Sequence, residues 1–356
     1  MGIALVLGGG APNMTLMSGA LLEFHRAGVK FDVVSTSGAG MLIGLLYAAA
    51  KGISTEEALI RTQDLGIHDW IYNLFPVNYK VFHKPGKMAE MYTKALQKLT
   101  PPRRPQSEME RFVMDWWQLG AALMSPTDLG MMSKGLCQPA PWIESVVDFE
   151  KLKAFPGDFF LSAYCIEDRQ HVTFDKDKID GEHFKAALAM PFIYSPYELY
   201  GKTYLEGAAQ DALNYKGLIE LCEAKQKDID TIVVFDILGM DEVVGVPRNL
   251  YDAWVKSIIV PLIAIAKDDT RLFELLHNKN KDGSDKHNLL KVQFEEFMPK
   301  DQWPKVYDWS YSNLSTLFEV GQNAALAFLE KHKEFLYAKQ EAPAPGNVTA
   351  MPHPSS

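Results

Sequence analysis

The sequence predicts an α/β domain built on a mainly parallel central sheet, with a helical insertion and a helical C-terminal extension. Three observations carry that expectation. Ile3–Leu7 and Phe31–Val34 are short continuous apolar runs, the pattern of buried strands. Each is followed by an apolar-periodic helix: Thr15–Ala27 with Leu16, Ala20, Leu21 and Phe24 on one face, and Met41–Lys51. Strand–helix–strand–helix at this spacing requires parallel pairing and right-handed crossovers.

Taken in order, Gly8-Gly9-Gly10 ends the first strand and Gly28 stops the first helix. The second strand runs into Ser35-Thr36-Ser37-Gly38-Ala39-Gly40. A serine on a tight strand-to-helix turn has the geometry of a nucleophile elbow, in which Ser35 and Ala39 supply the small flanking residues. The following helix directs its N-terminal N–H groups toward Ser37. A helix-capping role for Ser35 and Ser37 is the alternative at this point.

Ser54-Thr55-Glu56-Glu57 opens another helix in the manner of a capping box. Residues 69–141 then change character, with Trp70, Trp116 and Trp117 among many methionines. This stretch reads as a mostly helical insertion broken at Pro101-Pro102. It is either plain core, a cover over the site mouth or a membrane-touching surface. Strands resume at Phe159–Tyr164 and His171–Phe174, a helix at His183–Ala189, a strand at Thr203–Leu205, a helix at Lys216–Glu223 and a strand at Thr231–Phe235. Leu250–Ile265 and Ser312–Tyr337 read as helices, and the Pro- and Ala-rich tail from Gln340 as disordered. The organisation expected is a catalytic domain over 1–240, a helical extension over 241–339 and a tail over 340–356.

Composition narrows the function classes. With 47% apolar residues the chain supports a large core, and a net charge of −9 argues against nucleic acid as a partner. Cys137, Cys165 and Cys222 are odd in number and lack metal-ligand spacing, which fits a reduced, cytoplasmic setting. The N-terminus shows neither a signal peptide nor a myristoylation pattern, and no apolar run reaches bilayer-spanning length. Asn278 to Gly283 imitates the start of a calcium loop, but Leu289 stands where the closing glutamate belongs. His25 and His183 read as helix-surface residues, and neither metal nor organic cofactor is expected.

The loop Gly8-Gly9-Gly10-Ala11 lies between a strand and a helix, where backbone N–H groups can face a site. Pro12 has no N–H, so donors for an oxyanion hole come from the residues before it. A dinucleotide loop is the competing reading, but Asn13 occupies the place of its third glycine. Further on, Leu205-Glu206-Gly207-Ala208 delivers a carboxylate from a strand end into a small-residue turn, with Asp211 as the alternative acid.

In this order the three stretches resemble the patatin-like phospholipase family, whose pattern is a Gly-rich loop, a Gly-x-Ser-x-Gly elbow and a downstream Asp-Gly-Gly or Asp-Gly-Ala. The lead-in Ala186 to Pro196 also resembles the segment before that family's acid. The resemblance spans roughly residues 1–240. It implies a three-layer α/β/α fold and cleavage of lipid acyl esters by a serine–carboxylate dyad without histidine. Carried over by position, Ser37 is the nucleophile, Gly8, Gly9, Gly10 and Ala11 form the oxyanion loop, and Glu206 stands where aspartate belongs. Three positions depart from the pattern: Ala11-Pro12-Asn13 replaces a basic residue, Ser35 replaces a glycine, and Glu206 is one methylene longer. The resemblance therefore implies a lipid acyl hydrolase with possible membrane contact. The alternatives are a catalytically weak or inactive lipid- or protein-binding member, and an acyltransferase or thioesterase. Asp211, five residues beyond Glu206, is expected to point away from Ser37.

Overall fold

Two wholly buried strands anchor the molecule, β1 (Gly2–Leu7) and β2 (Val33–Thr36), paired in parallel from Ala4–Val33 to Leu7–Thr36. Apolar strands without alternation are covered on both faces. Helices α1 (Met14–Arg26) and α2 (Gly40–Ala49) do much of that covering, and α2 is apolar almost all round. The computed structural model describes residues 2–11, 13–99, 103–238, 245–305 and 307–337. Pro12, the Pro101-Pro102 break and the tail from Gln340 lie outside them.

After α2 come α3 (Thr55–Ile60), α4 (Asp69–Leu74), α5 (Lys87–Leu99), α6 (Glu108–Met124), α7 (Ile143–Val146) and α8 (Phe149–Lys153). Ser54 Oγ caps α3, accepting the Glu57 N–H at 3.1 Å. The expected helical insertion is thus made of α4, α5 and α6 joined by irregular chain. Next are β3 (Asp158–Cys165), β4 (Gln170–Asp175), α9 (Gly181–Ala187), β5 (Tyr197–Leu199), β6 (Lys202–Glu206), α10 (Tyr215–Ala224) and β7 (Ile229–Phe235). The chain finishes with α11 (Leu250–Leu272), β8 (Asn288–Lys291), α12 (Tyr311–Lys331) and α13 (Lys333–Tyr337).

The sheet runs β5-β6-β3-β2-β1-β7-β8, with β4 also on β3. Strands β1, β2, β3, β7 and β8 are parallel, whereas β4 and β6 run antiparallel to β3. Edge bookkeeping on β3 fixes the site. β2 pairs with Asp158–Leu161, β4 with Phe160–Cys165 and β6 with Ala163–Cys165. Since β4 overlaps both of the others, β2 and β6 must share the opposite edge, end to end.

The segment after 240 departs from the helical extension expected, because β8 adds a parallel strand to β7. Its apolar content is only Leu289 and Leu290, too little to mark a strand. β5 likewise carries too little sequence signal to mark a strand; it is three residues long and turns into β6 through Tyr200 and Gly201, both at positive φ. Positive φ at both central positions is the hairpin signature, but tyrosine is not a residue that announces it. α12 crosses α1 so closely that a Cβ on Gly19 would strike the Phe318 carbonyl and one on Gly321 the Leu16 carbonyl. The long C-terminal helix thereby completes the layer over β1.

Candidate active site

The elbow is local in origin. Ser37 follows the last residue of β2, and its N–H still donates to the Leu7 carbonyl at 3.0 Å. The reversal into α2 is taken by Gly38 at φ +50°. Close approach falls on Gly40, where an added Cβ would come to 2.5 Å from the Leu7 and Gly8 carbonyl oxygens. Ser35, in the place of the usual glycine, is buried and accepts the Asn214 Nδ2 amide at 3.0 Å. The substitution thus ties β2 to the start of α10.

Glu206 reaches the same point from the opposite direction. It ends β6 opposite Ala163, one residue beyond where Ser37 follows the Thr36–Leu161 pair. A Cβ on Gly38 would lie 2.7 Å from Glu206 Oε1 and 2.8 Å from Gly9 Cα, so the carboxylate, the elbow and the glycine loop are in contact. Gly207 is obligatory here too, because a Cβ would meet Ser162 Oγ at 2.7 Å. Glu206 is 8% exposed, and burial raises its pKa to about 8. Desolvation disfavours the charged form, so the side chain is mostly neutral at pH 7.

The serine proton is directed elsewhere. Ser37 Oγ donates to the Asp211 carbonyl at 3.0 Å and accepts from Ser162 Oγ at 3.4 Å. Among the hydrogen bonds of the described residues, none joins Ser37 to Glu206. Asp211 therefore meets Ser37, against the expectation that it lies away, but through its main chain. Its carboxyl is raised by burial and partly drawn back by His171, while one of its oxygens is buried with no partner. The loop carrying it is pinned twice: Ala212 N–H donates to Asp269 Oδ2 on α11 at 2.7 Å, and the Ala212 carbonyl accepts the Gly9 N–H at 3.3 Å. Burial and the neighbouring Asp211 raise Asp269 to about 7.

The glycine loop divides into two halves. The Gly8 N–H donates to the Phe235 carbonyl at 3.1 Å and the Gly9 N–H to Ala212, so both are occupied by structure. Gly10, at φ +130°, and Ala11 donate to no described residue. Asn13, in the stretch that replaces the family's basic residue, is buried and donates from Nδ2 to the Ile237 carbonyl at 3.0 Å, fastening the loop to the chain after β7.

Three contributors escaped the sequence. Ser162 gave only a faint signal, a lone polar residue inside an apolar strand. Asn214 and Asp269 gave none, because their partners lie 179 and 57 residues away. His183 is a correction: it is buried, with Nδ1 2.7 Å from the helix-capping Asp180, whereas His25 is exposed as expected. Among the described residues no group of His, Cys, Asp and Glu could hold a metal ion, and no helix is long and apolar enough to cross a membrane.

The family model described as patatin-like phospholipase matches residues 5–219, which include the glycine loop, the elbow and the Glu206 turn. No curated protein matches in sequence. Among solved structures the chain is similar to VipD from Legionella pneumophila, at 13% identity and a TM-score of 0.41, over 93% of this chain and 67% of VipD. It is also similar to the type III effector protein ExoU, at 14% identity and a TM-score of 0.30, over 96% of this chain and 60% of ExoU.

Proposed function

The chain belongs to the patatin-like phospholipase family, and from that premise we propose that it hydrolyses fatty-acyl esters of lipids through a Ser37 acyl-enzyme with Glu206 as base. One observation carries the reading: β2 and β6 meet end to end on β3, which brings the Glu206 carboxylate against the Ser37–Gly38 elbow. A base with a pKa near working pH combines an available lone pair with enough basicity to accept a hydroxyl proton.

In the first half-reaction the Ser37 hydroxyl leaves the Asp211 carbonyl, gives its proton to Glu206 and bonds through Oγ to the acyl carbon. The carbonyl oxygen takes the negative charge in front of the Gly10 and Ala11 N–H groups, at the positive end of α2. The tetrahedral adduct collapses, and the proton passes from Glu206 to the departing alcohol. In the second half-reaction Glu206 takes a proton from water, whose oxygen attacks the ester of Ser37. The fatty acid leaves and Oγ regains its proton. No cofactor enters either step. A lipid substrate makes peripheral membrane contact part of the reading, and the three free thiols suit a reducing, cytoplasmic compartment.

The hydrogen bond from Ser37 to Asp211 favours a second reading, a lipid- or protein-binding member of low activity. Labelling with a fluorophosphonate ester probe, followed by mass spectrometry of the modified peptide, decides between them. Modification of Ser37 together with turnover of a fatty-acyl ester supports hydrolysis. An unmodified Ser37 on a folded protein leaves the binding reading.

A further inference from the structure

Helix α6 is built inside out. Arg111, Asp115 and Leu119, four residues apart, are its buried side. Arg111 Nη2 lies 2.8 Å from Asp64 Oδ1, and Lys80 Nζ lies 2.7 Å from Asp115 Oδ1. The other oxygen of Asp115 accepts the His68 N–H at 2.7 Å. Breaking such a buried pair would leave an uncompensated charge, so these contacts lock the rotation of the helix. What that rotation presents outward is apolar: Met109, Val113, Trp117 and Met124 are between 58% and 79% exposed. Positions i, i+4, i+8 and i+15 fall on one narrow stripe of a helix of period 3.6. A helix that places charges inside and Trp and Met outside reverses the usual arrangement, and an apolar stripe of this kind marks an interaction surface.

Neighbouring elements extend the surface. Tyr92 Oη of α5 donates to the Ala121 carbonyl of α6, and Met88 and Met91 of α5 are each 65% exposed. In the loop after α6, Met131 and Met132 are almost fully exposed. Charge identifies the partner. Residues 69–141 contain nine Lys and Arg against six Asp and Glu, in a chain that holds 36 against 45 overall. Lys94 and Arg103 are paired with Glu90 and Glu110, but the exposed Lys87, Lys98 and Lys134 form no ion pair among the described residues. A second copy of the same positive surface would be repelled, whereas an anionic one would be attracted. The loop also packs on the segment that leads to β6: the Leu136 and Cys137 N–H groups both donate to the Ile193 carbonyl at 2.9 Å, and a Cβ on Gly135 would strike the main chain of Tyr194 and Ser195.

We propose that this face docks on a phospholipid bilayer carrying anionic headgroups. The α6 stripe and the Met131-Met132 loop enter the interface, and Lys87, Lys98 and Lys134 stand against the headgroups. The inference rests on the lipid-ester reading above, since docking brings the elbow to the phase in which such esters reside.

The test is flotation of the full chain with vesicles of phosphatidylcholine alone and of equimolar phosphatidylcholine and phosphatidylglycerol. Wild type floats with the mixed vesicles more than with the neutral ones, and salt weakens it. The triple change Met109→Ser, Trp117→Ser and Met124→Ser lowers partitioning by about tenfold or more. It leaves the melting temperature, and Ser37 labelling by a short-chain fluorophosphonate without vesicles, as in wild type. Lys87→Glu, Lys98→Glu and Lys134→Glu together abolish the preference for phosphatidylglycerol. Wild type that stays below both vesicle types, or a triple variant that floats like wild type, overturns the proposal. So does a wild-type dimer in light scattering that the triple change splits while vesicles bind neither protein. Ser37→Ala must float like wild type. A wild type that floats but neither labels nor cleaves esters removes the hydrolase reading and leaves the docking face standing.

Discussion

The two sides of the junction on β3 are built by different means. On the serine side the strand, the turn at Gly38 and the apolar helix follow one another within residues 33–49, and only the Leu7 and Gly8 carbonyls over Gly40 come from outside that stretch. On the carboxylate side the hairpin is local but its anchors are not. Glu206 arrives through a hairpin, the loop after it is fixed by Gly9 from the N-terminus and Asp269 from α11, and its carbonyl holds the serine proton. The position of Ser37 is therefore dictated mainly by a short stretch of chain. The ionisation of Glu206 and the direction of the Ser37 hydroxyl depend on tertiary structure.

The largest effect expected from breaking this contrast falls on the serine side. Ser37→Ala should abolish fluorophosphonate labelling and esterase activity. The melting temperature should move little, because only the bonds of Oγ to Asp211 and Ser162 are lost. Labelling that survives at Ser35 would move the nucleophile two residues upstream.

Next in size is Glu206, the proposed base. Glu206→Gln keeps the shape and removes the proton acceptor, so acylation should fall by roughly 10²-fold or more. In wild type the acylation rate should rise with pH through a midpoint near 8 and level off above it, since Glu206 must ionise and burial holds its pKa at about 8. A single-turnover pH profile that is flat from 6 to 9 would assign the proton to another group. Asp211→Asn should cost much less than Glu206→Gln, because the contact with Ser37 is made by the Asp211 carbonyl, which the change retains.

How much could be read in advance follows the same division. The strands β1, β2, β3 and β7, the elbow and the glycine loop are each marked by contiguous residues, and the strand ends fall within two positions of those expected. Glu206 was found only through the resemblance of its Gly-Ala turn, since a carboxylate at a strand end is otherwise an ordinary surface residue. Which loop N–H groups are available was not legible, because Gly8 and Gly9 are occupied by carbonyls 227 and 203 residues further on. The outward face of α6 was hidden for a related reason. Its Trp and Met suggest core until Asp64 and Lys80 are seen to draw Arg111 and Asp115 inside.

A smaller effect on rate tests whether the carboxylate side depends on its distant anchor. Asp269→Ala leaves the Ala212 N–H without its acceptor and loosens the loop that positions both Ser37 and Gly9. Misplacement of that order should lower kcat by about tenfold with little change in KM. Asp269→Asn, whose amide oxygen still accepts from Ala212, should restore most of it. An Asn variant as impaired as the Ala variant would mean that charge, not position, is what Asp269 supplies.

The smallest effect on rate, and the most direct reading of the buried base, is in stability. Glu206 is held near pKa 8 in the folded protein against an ordinary value of 4.5. Between those two values the folded state keeps a proton that the unfolded chain has released. Stability must therefore decline as pH rises from about 4.5 to about 8 and level off on either side. The shift corresponds to a few kcal/mol, on the order of 3–5, lost across that window. Asp269, raised from 3.8 to about 7, adds a loss of the same sign, but it is present in wild type and in Glu206→Gln alike and cancels between them. Glutamine cannot ionise, so the variant should melt close to wild type at pH 5 and above it at pH 9, by roughly several degrees. The change that removes the base thus stabilises the fold only where the base would be charged. Melting curves of both proteins at the two pH values measure it, and a gap that does not widen with pH would show that Glu206 ionises as easily folded as unfolded.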